Sequence, residues 1–305
     1  MPFVRVPPLG SLDAPEWRVE RVWFTADLPG SEGELFRIVD AIFPGDSALV
    51  LADGGASALL FVDAGSATVR RVGREGDGPG EFRYLQHVLP HPSGNVLTYD
   101  GRLTRFDLAG EVVGTERLDP ESVVSLRPLL QREDGTVAAV LGEQRIFGPG
   151  GEHRDTVPLM VFSTGASAPD TIATWLGLER AFASAPEGIY LVPIAFARTF
   201  FAAANLRRIA ITSSDSLDVT IFSAQMAPLL RIVAPPEARG PSPAEVDEWR
   251  ARMMAGVPDR SATLLRALES TPVRTRYPGL DGLVLDALDR LWVAEHPGMG
   301  VDRAG

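Results

Sequence analysis

Short runs of hydrophobic residues alternate along the chain with turns rich in Gly, Asp and Pro. From Trp17 to about Val233, the runs are typical of β-strands, and the turns recur roughly every 8 to 12 residues. This pattern predicts a β-sandwich, a β-barrel or a β-propeller. The clearest predicted strands are LVLAD (49–53), ALLFVD (58–63), TVRRV (68–72), NVLTYD (95–100), LTRFD (103–107) and EVVGTERL (111–118).

An internal repeat favours the propeller. Phe61 and Phe106 occupy matching places in two successive segments, 45 residues apart, and so do Gly65 and Gly110. A period of this length is typical of a four-stranded propeller blade. Long loops such as 142–155 separate the later copies more widely. These weaker copies lie at 134–140, 159–165, 187–193, 217–223 and 286–295.

One segment interrupts the strand pattern with a helical insertion at 242–270. Ser242 is followed by Pro243 and, three residues after the serine, by Glu245, which is a capping box at a helix start. Residues 261–270 predict a second short helix after Pro258. The first helix carries an apolar stripe that either packs on the propeller's flank or fits a partner's groove; its members are Val246, Trp249 and Met253.

Composition removes several kinds of chemistry. The 305 residues include 40 acidic and 29 basic side chains, and the net charge is -11. All the basic residues are arginine and cysteine is absent. These facts exclude Schiff-base and P-loop lysines, thiol nucleophiles, disulfides and Cys-ligated zinc. The acidic balance argues against a nucleic-acid partner, because such binding depends on clustered cations.

The chain shows no membrane segment and no export signal. No apolar run reaches the roughly 18 residues that a transmembrane helix needs. The start MPFVRVPPLG has prolines and an arginine where a secretory signal has an unbroken apolar stretch. The sequence therefore predicts a soluble chain without an export signal of its own.

The segments GREGDGPGEF (73–82) and GNVLTYDGRLTRFD (94–107) resemble an NHL-type propeller repeat of bacterial six-bladed propellers. The loop and the two strands that follow it carry the resemblance, which covers roughly 33–295 and is strongest over 49–118. The matching residues are Gly73, Gly76, Gly78, Pro79, Gly80, Phe82, Gly94, Asn95, Val96, Asp100, Arg105, Phe106 and Asp107.

The resemblance implies an all-β fold, a six-bladed β-propeller that lacks its last strands after Gly305. It implies one propeller domain over 17–305, preceded by an N-terminal extension at 1–16. The strand WRVERVWFT (17–25) would help to close the ring. The family's usual location, outside the cytoplasm, is also implied.

The glycine-rich loop 73–82 invites comparison with a phosphate-binding loop. Pro79 removes one N–H donor, and the following EFRYLQHV (81–88) reads as a strand where a phosphate loop opens a helix. The loop is therefore interpreted as a connector between blades. Charged residues beside it form either an ion-paired junction or a patch for an anionic ligand, and the candidate ligand-binding residues are Arg74, Asp77, Arg83 and His87.

Candidate metal ligands come from two patterns. Asp53 and Asp100 each close a strand before a turn, and Glu295 follows LWVA in a similar place. Such carboxylates either accept local backbone hydrogen bonds or ring a channel mouth and bind calcium. Histidines on different predicted blades could hold zinc, or they are simply exposed. The weak candidates are Asp53, Asp100, His87, His153 and His296.

The sequence contains no convergent catalytic set. It therefore predicts a non-enzymatic module that binds a small molecule or a protein through its loop-lined face and central funnel, without a cofactor. The alternative is a metal-dependent hydrolase, lactonase or lyase that holds Ca²⁺ or Zn²⁺ in the central channel.

Overall fold

A computed structural model describes residues 1–7, 35–44, 48–63, 68–118, 126–141, 151–163, 166, 168–185, 188–235, 239–255, 266 and 271–296. The chain forms two compact units. The first unit comprises Met1–Asp13, Glu143–Pro158 and Ala173–Gly305, and the second comprises Ala14–Gly142 and Leu159–Ile172.

Apart from one α-helix, the regular secondary structure of the described residues is β-strand. The elements in chain order are β1 (Phe3–Arg5), β2 (Ile38–Ile42), β3 (Ala48–Asp53), β4 (Ala58–Asp63), β5 (Thr68–Val72), β6 (His87–Pro90), β7 (Val96–Tyr99), β8 (Leu103–Phe106), β9 (Val112–Glu116), β10 (Leu126–Gln131), β11 (Val137–Leu141), β12 (Gly151–Phe162), β13 (Asp170–Ala185), β14 (Gly188–Val192), β15 (Phe200–Ala204), β16 (Arg208–Ser213), β17 (Asp218–Ser223), β18 (Pro228–Val233), α1 (Pro243–Ala255), β19 (Gly282–Leu285) and β20 (Leu291–Ala294).

Two four-stranded sheets of the second unit are antiparallel meanders in chain order, β2-β3-β4-β5 and β6-β7-β8-β9. Phe61 lies on the third strand of one sheet and Phe106 on the third strand of the next. The repeat in the sequence therefore places both rings at equivalent positions of successive sheets, as the blade interpretation predicts. Loop 73–82 lies in the connection between β5 and β6. The prediction of a strand at 81–88 was wrong in part, because β6 begins only at His87.

The connector also contributes to the core of the second unit. Phe82 is 1% exposed and packs among Val50, Leu59 and Val96. Its ring centroid lies 5.8 Å from that of Phe106. Burying a phenylalanine contributes about 1.5–3 kcal/mol, so the loop is held by its own aromatic side chain.

The largest sheet of the first unit has the order β1-β18-β17-β16-β15. Strand β1 pairs in parallel with β18, with Phe3 opposite Arg231. Part of the predicted N-terminal extension 1–16 is therefore a strand of this sheet. The hairpin β19–β20 packs beside β15 and β16, where Leu283 and Val293 contact the buried cluster around Val219.

A second five-stranded sheet has the order β10-β11-β12-β13-β14. Its strands β12 and β13 are the longest in the described structure, with 12 and 16 residues. The predicted loop 142–155 was wrong at its end, because residues 151–155 belong to β12.

The helical insertion is confirmed in its first half. The Ser242 backbone N–H donates to Glu245 Oε2 at 2.8 Å, and the Glu245 N–H donates to Ser242 Oγ at 3.3 Å, which forms the predicted capping box. The side chains of its stripe are half-buried: Val246, Trp249 and Met253. Of the second predicted helix, only Arg266 is described, and it is helical. The predicted strand 17–25 lies outside the described residues.

The predicted fold class is confirmed: the chain is all-β and is built from antiparallel sheets of the propeller-blade type. Six blades remain a prediction, as does the single domain over 17–305. Within the described part of the chain, α1 is too short and too polar to cross a membrane.

Candidate ligand-binding site

A cavity of about 260 Å³ lies in the first unit. It is formed by loops at the ends of strands. The lining residues combine both signs of charge with apolar and aromatic surface: Arg198, Asp215, Leu217, Ala234, Pro235, Arg239, Arg276, Tyr277, Pro278, Gly279, Glu295 and His296.

The strand register brings these loops together. Phe200 pairs with Ser213, and Asp218 pairs with Val233, so the start of β15, the β16–β17 turn and the end of β18 share one end of the sheet. Two hydrogen bonds that Ser214 accepts then fix the neighbours of this turn. Its Oγ accepts from the Thr199 N–H at 2.7 Å, and its carbonyl accepts from the Gly279 N–H at 2.6 Å.

Asp215 lies on the cavity wall between two arginines. Arg154 donates to both of its carboxylate oxygens, at 2.8 and 2.5 Å, and Arg198 donates to one of them at 3.2 Å. Burial on its own raises the pKa of Asp215, but the hydrogen bond and the charge of Arg154 and the charge of Arg198 outweigh it. The net pKa lies below the ordinary value, so Asp215 stays ionised.

A second acidic residue, Glu179, stabilises the same wall by binding the Arg198 backbone and the Arg274 side chain. The Glu179 side chain is only 6% exposed and accepts from the Arg198 backbone N–H at 2.8 Å and from Arg274 Nε at 2.9 Å. Arg274 also pairs with Glu152 at 2.8 Å. Because each guanidinium of this network faces a carboxylate, the charge of Arg198 is largely balanced within the wall.

An aromatic stack forms another side of the cavity. The Tyr277 and His296 rings lie 4.8 Å apart and nearly parallel, and Phe196 meets Tyr277 edge-on at 5.0 Å. The Arg239 guanidinium lies 5.4 Å from the centre of the Tyr277 ring, which is cation–π geometry. Arg239 also pairs with Glu245 of α1 at 3.1 Å, so one ion pair connects the capping box to the cavity wall.

Arg276 differs from the other two arginines of the cavity. Its residue is exposed, and among the residues that the structure describes its side chain has no ion-pair partner. Guanidinium groups present a planar fork of donors that matches carboxylates and phosphates. The cavity therefore offers an available cation beside an aromatic and apolar wall.

Of the predicted ligand-binding residues, three lie between β5 and β6 and His87 is the first residue of β6; their charges pair locally. Arg74 pairs with Glu81 at 2.6 Å, and Arg83 hydrogen bonds to Asp77. His87 Nδ1 lies 3.6 Å from Asp40 Oδ2. These contacts are those of the ion-paired junction, and a role of Arg74, Asp77, Arg83 and His87 in ligand binding remains a prediction.

The carboxylates of the two candidate aspartates accept hydrogen bonds from backbone N–H groups. Asp53, fully buried, accepts four backbone N–H bonds of 3.0–3.1 Å, from Phe36, Arg37, Gly55 and Ala56. Burial raises its pKa, but these bonds outweigh that effect and lower it overall. Asp100 accepts from the Arg83 and Arg102 backbone N–H groups and pairs with the Arg102 guanidinium at 2.8 Å.

The candidate histidines have different surroundings. His153 was predicted to lie in a loop, which was wrong: it belongs to β12, and its ring meets Phe182 edge-on at 5.3 Å. His296 lines the cavity. In the described ranges, no three His, Asp or Glu residues are grouped so that they could hold a metal ion.

Sequence reasoning did not single out most of the cavity. Arg154, Arg198 and Asp215 lie in separate segments without a motif. The nearest available indication was the run Arg274-Thr275-Arg276-Tyr277 directly before Pro278-Gly279, because arginine and tyrosine in a turn are frequent in binding surfaces.

No protein-family model matches this chain, and no curated protein matches it. Its structure is similar to that of a Bacteroides fragilis protein described as exported, with 14% identity, 88% of this chain and 74% of that chain covered, and a TM-score of 0.41. Virginiamycin B lyase from Staphylococcus aureus shows 8% identity, coverage of 62% and 67%, and a TM-score of 0.33. Regucalcin from Agrobacterium tumefaciens, described as calcium-binding, shows 12% identity, coverage of 68% and 77%, and a TM-score of 0.32. Identities and TM-scores this low do not indicate a function for this chain.

Proposed function

We propose that this protein is a non-enzymatic binding module that holds a small organic anion in the cavity of the first unit. The observation that carries the proposal is Arg276, an exposed guanidinium on the cavity wall without an anionic partner among the described residues. A carboxylate or phosphate would supply that partner in bidentate form.

The rest of the cavity supports an organic ligand. Leu217 and Ala234 are buried apolar residues on the wall, and Tyr277 adds aromatic surface. Sites for drug-sized ligands span about 300–1,000 Å³. A cavity of about 260 Å³ therefore suits a smaller molecule, with an apolar part against these residues and a charged end at Arg276.

The alternative function, a metal-dependent hydrolase, lactonase or lyase, has less support from this site. Asp215, Glu295 and His296 are residue types that bind Ca²⁺ or Zn²⁺. Asp215, however, already accepts hydrogen bonds from Arg154 and Arg198, and these cations oppose a metal ion beside it. A protein partner and a location outside the cytoplasm also remain predictions.

The test is calorimetric titration of the purified chain with succinate, benzoate and inorganic phosphate at constant ionic strength. Constant salt matters because exposed charge interactions are screened. We expect at least one anion to bind and Arg276→Ala to weaken it about tenfold or more, since a charge-assisted contact of 1.4 kcal/mol corresponds to tenfold. Arg276→Lys should restore part of the affinity, because it keeps the charge without the planar fork.

The matched control is Arg127→Ala. Arg127 is an exposed arginine on β10 that does not line the cavity. Loss of affinity in both variants would show that binding follows net charge alone. Absence of binding to every anion, or equal binding by Arg276→Ala and the parent chain, would overturn the proposal.

A further inference from the structure

We infer that the ligand of this cavity is a monocarboxylate with an apolar body about the size of one ring, bound with the body inward and the carboxylate at Arg276. The inference rests on the proposed function, because it assigns the anionic end of the ligand to the same arginine. It adds the number of charges on the ligand, the size of its body and its orientation.

The arginines around the cavity leave one positive charge for a ligand. One network beside the cavity balances three guanidinium groups against three carboxylates: Arg154, Arg198, Arg274, Asp215, Glu179 and Glu152. Arg239 pairs with Glu245 at 3.1 Å. Within the described ranges, Arg276 is then the lining cation without an anionic partner. A single unpaired cation matches a ligand with a single negative charge.

A second negative charge on the ligand would meet repulsion. Asp215 and Glu295 already place two carboxylates on the cavity wall. Asp215 is partly buried, at 34% exposed, so salt screens its repulsion less than that of a fully exposed charge. A dianion such as a phosphate monoester or a dicarboxylate therefore fits this wall less well than a monoanion does.

The apolar residues of the cavity are the buried part of its lining. Leu217 and Ala234 are 5% and 2% exposed, and the Ala234 N–H donates to the Leu217 carbonyl at 2.9 Å. Pro278 is also buried. Its neighbour Gly279 packs so closely on the β16–β17 turn that an added Cβ would lie 2.7 Å from Ser216 Cα. These contacts join three segments into one apolar surface.

The positions of the cation and of this surface set the orientation of the ligand. Arg276 is exposed, whereas Pro278, two residues further on, is buried. A ligand whose carboxylate meets Arg276 therefore turns its body toward the buried apolar residues, where apolar atoms are favoured. A charged group at the far end of that body would lose its hydration without gaining a partner.

The volume limits the body of the ligand. An apolar cavity of roughly 150 Å³ holds a benzene ring. The volume of about 260 Å³ therefore has room for one ring and a carboxylate. Sites for drug-sized ligands begin near 300 Å³, so a ligand with several rings is too large.

The experiment uses ligands that differ from benzoate in one feature, titrated by calorimetry at pH 7 and constant ionic strength. Benzamide removes the charge, acetate removes the ring, and phenyl phosphate replaces the carboxylate with a mostly dianionic group. We expect benzoate to bind about tenfold more tightly than each of them, which corresponds to about 1.4 kcal/mol.

A second pair of ligands tests the orientation. Terephthalate and 4-methylbenzoate both extend benzoate at the ring position opposite the carboxylate, the first by another carboxylate and the second by a methyl group. We expect 4-methylbenzoate to bind at least as tightly as benzoate, and terephthalate to bind about tenfold more weakly. Because both ligands are longer than benzoate, the difference between them reports the buried charge.

Arg276→Ala tests the contact with the carboxylate. This variant should lower the affinity for benzoate to that for benzamide and leave binding of benzamide unchanged. The matched control is again Arg127→Ala, at an exposed position outside the cavity, which should keep the preference for benzoate. Equal melting temperatures of the parent chain and both variants would show that folding is intact.

The outcomes separate the two proposals. If anions bind but acetate, phenyl phosphate or terephthalate binds as tightly as benzoate, the monocarboxylate inference is overturned and the anion-binding function stands. Equal weakening of 4-methylbenzoate and terephthalate would overturn the orientation, since length would then set the limit. If no anion binds, both proposals are overturned. A preference for benzoate over benzamide that survives Arg276→Ala would overturn the role of Arg276.

Discussion

Arg154 holds both carboxylate oxygens of Asp215, at 2.8 and 2.5 Å, although 61 residues separate the two in sequence. Arg154 lies on β12 and Asp215 in the turn between β16 and β17. The pair therefore ties that turn to a strand of another sheet within the first unit. Because Asp215 lines the cavity, the pair also fixes the position of one wall.

Replacing Asp215 with Asn should destabilise the protein by about 2 kcal/mol, because the weakly exposed Arg154 loses its nearest counter-charge and keeps only Glu179 at 4.0 Å. This value is below that of fully buried pairs, since Asp215 is 34% exposed. Urea unfolding measures the change. The matched control is Asp218→Asn in the same sheet, whose pair with Arg231 is exposed on both sides; it should cost less than about 1 kcal/mol. Equal losses in the two variants would contradict the prediction.

The Asp215 pair should also make stability depend on pH in acid. The pKa of Asp215 is lowered in the folded protein, so its contribution is complete well above the unfolded value of about 3.9 and is lost as the pH falls through the folded pKa. The stability difference between the parent chain and Asp215→Asn should therefore stay constant near neutral pH and shrink below about pH 4. Urea unfolding of both chains at several pH values measures it. A difference that persists undiminished in strong acid would argue against the effect.

Divalent cations should leave thermal stability unchanged. The carboxylates of Asp53 and Asp100 already accept backbone hydrogen bonds, and arginines hold Asp215. A ligand at a hundredfold excess over its Kd stabilises the folded state by about 2.7 kcal/mol, which is several degrees in melting temperature. Melting curves with EDTA, Ca²⁺ and Zn²⁺ measure this. A clear rise with one metal that disappears in His296→Asn would support the metal-dependent alternative.

The connector loop of the second unit should not tolerate a side chain at Gly73. This residue has a φ of 92°, and an added Cβ would overlap the Phe82 ring. Gly73→Ala should therefore cost about 3 kcal/mol, from backbone strain and displacement of a core ring together. Gly94→Ala is the matched control, since its φ is similar at 82° and nothing lies within 4 Å of the new Cβ; about 1 kcal/mol is expected. Urea unfolding compares the two, and a smaller loss at Gly73 than at Gly94 would refute the steric argument.

The blades could be predicted because their information is local. In β3 and β4, consecutive buried residues end at Asp53 and Asp63, so each strand is visible as an apolar run with a polar end. The repeat then relates Phe61 to Phe106 without any knowledge of distant contacts. Strand β12 was harder to predict, because Gly150-Gly151 and the polar residues after it read locally as a loop.

The cavity could not be predicted because its residues meet only through sheet register. Arg198, Asp215 and Arg276 are ordinary loop residues until β15–β18 and the β19–β20 hairpin align their ends. Local patterns instead favoured Asp53, whose buried carboxylate caps a turn. A carboxylate that satisfies backbone N–H groups and one that faces a ligand look the same in sequence.

The parallel pairing of β1 with β18 has a consequence for folding during synthesis on the ribosome. Phe3 meets Arg231, so 228 positions (231 minus 3) separate the partners. At ~5–20 residues per second, the ribosome needs roughly 11–46 s to add that length. During this interval β1 has no partner strand, and the sheet gains β1 as its edge strand only after Arg231 has been synthesised.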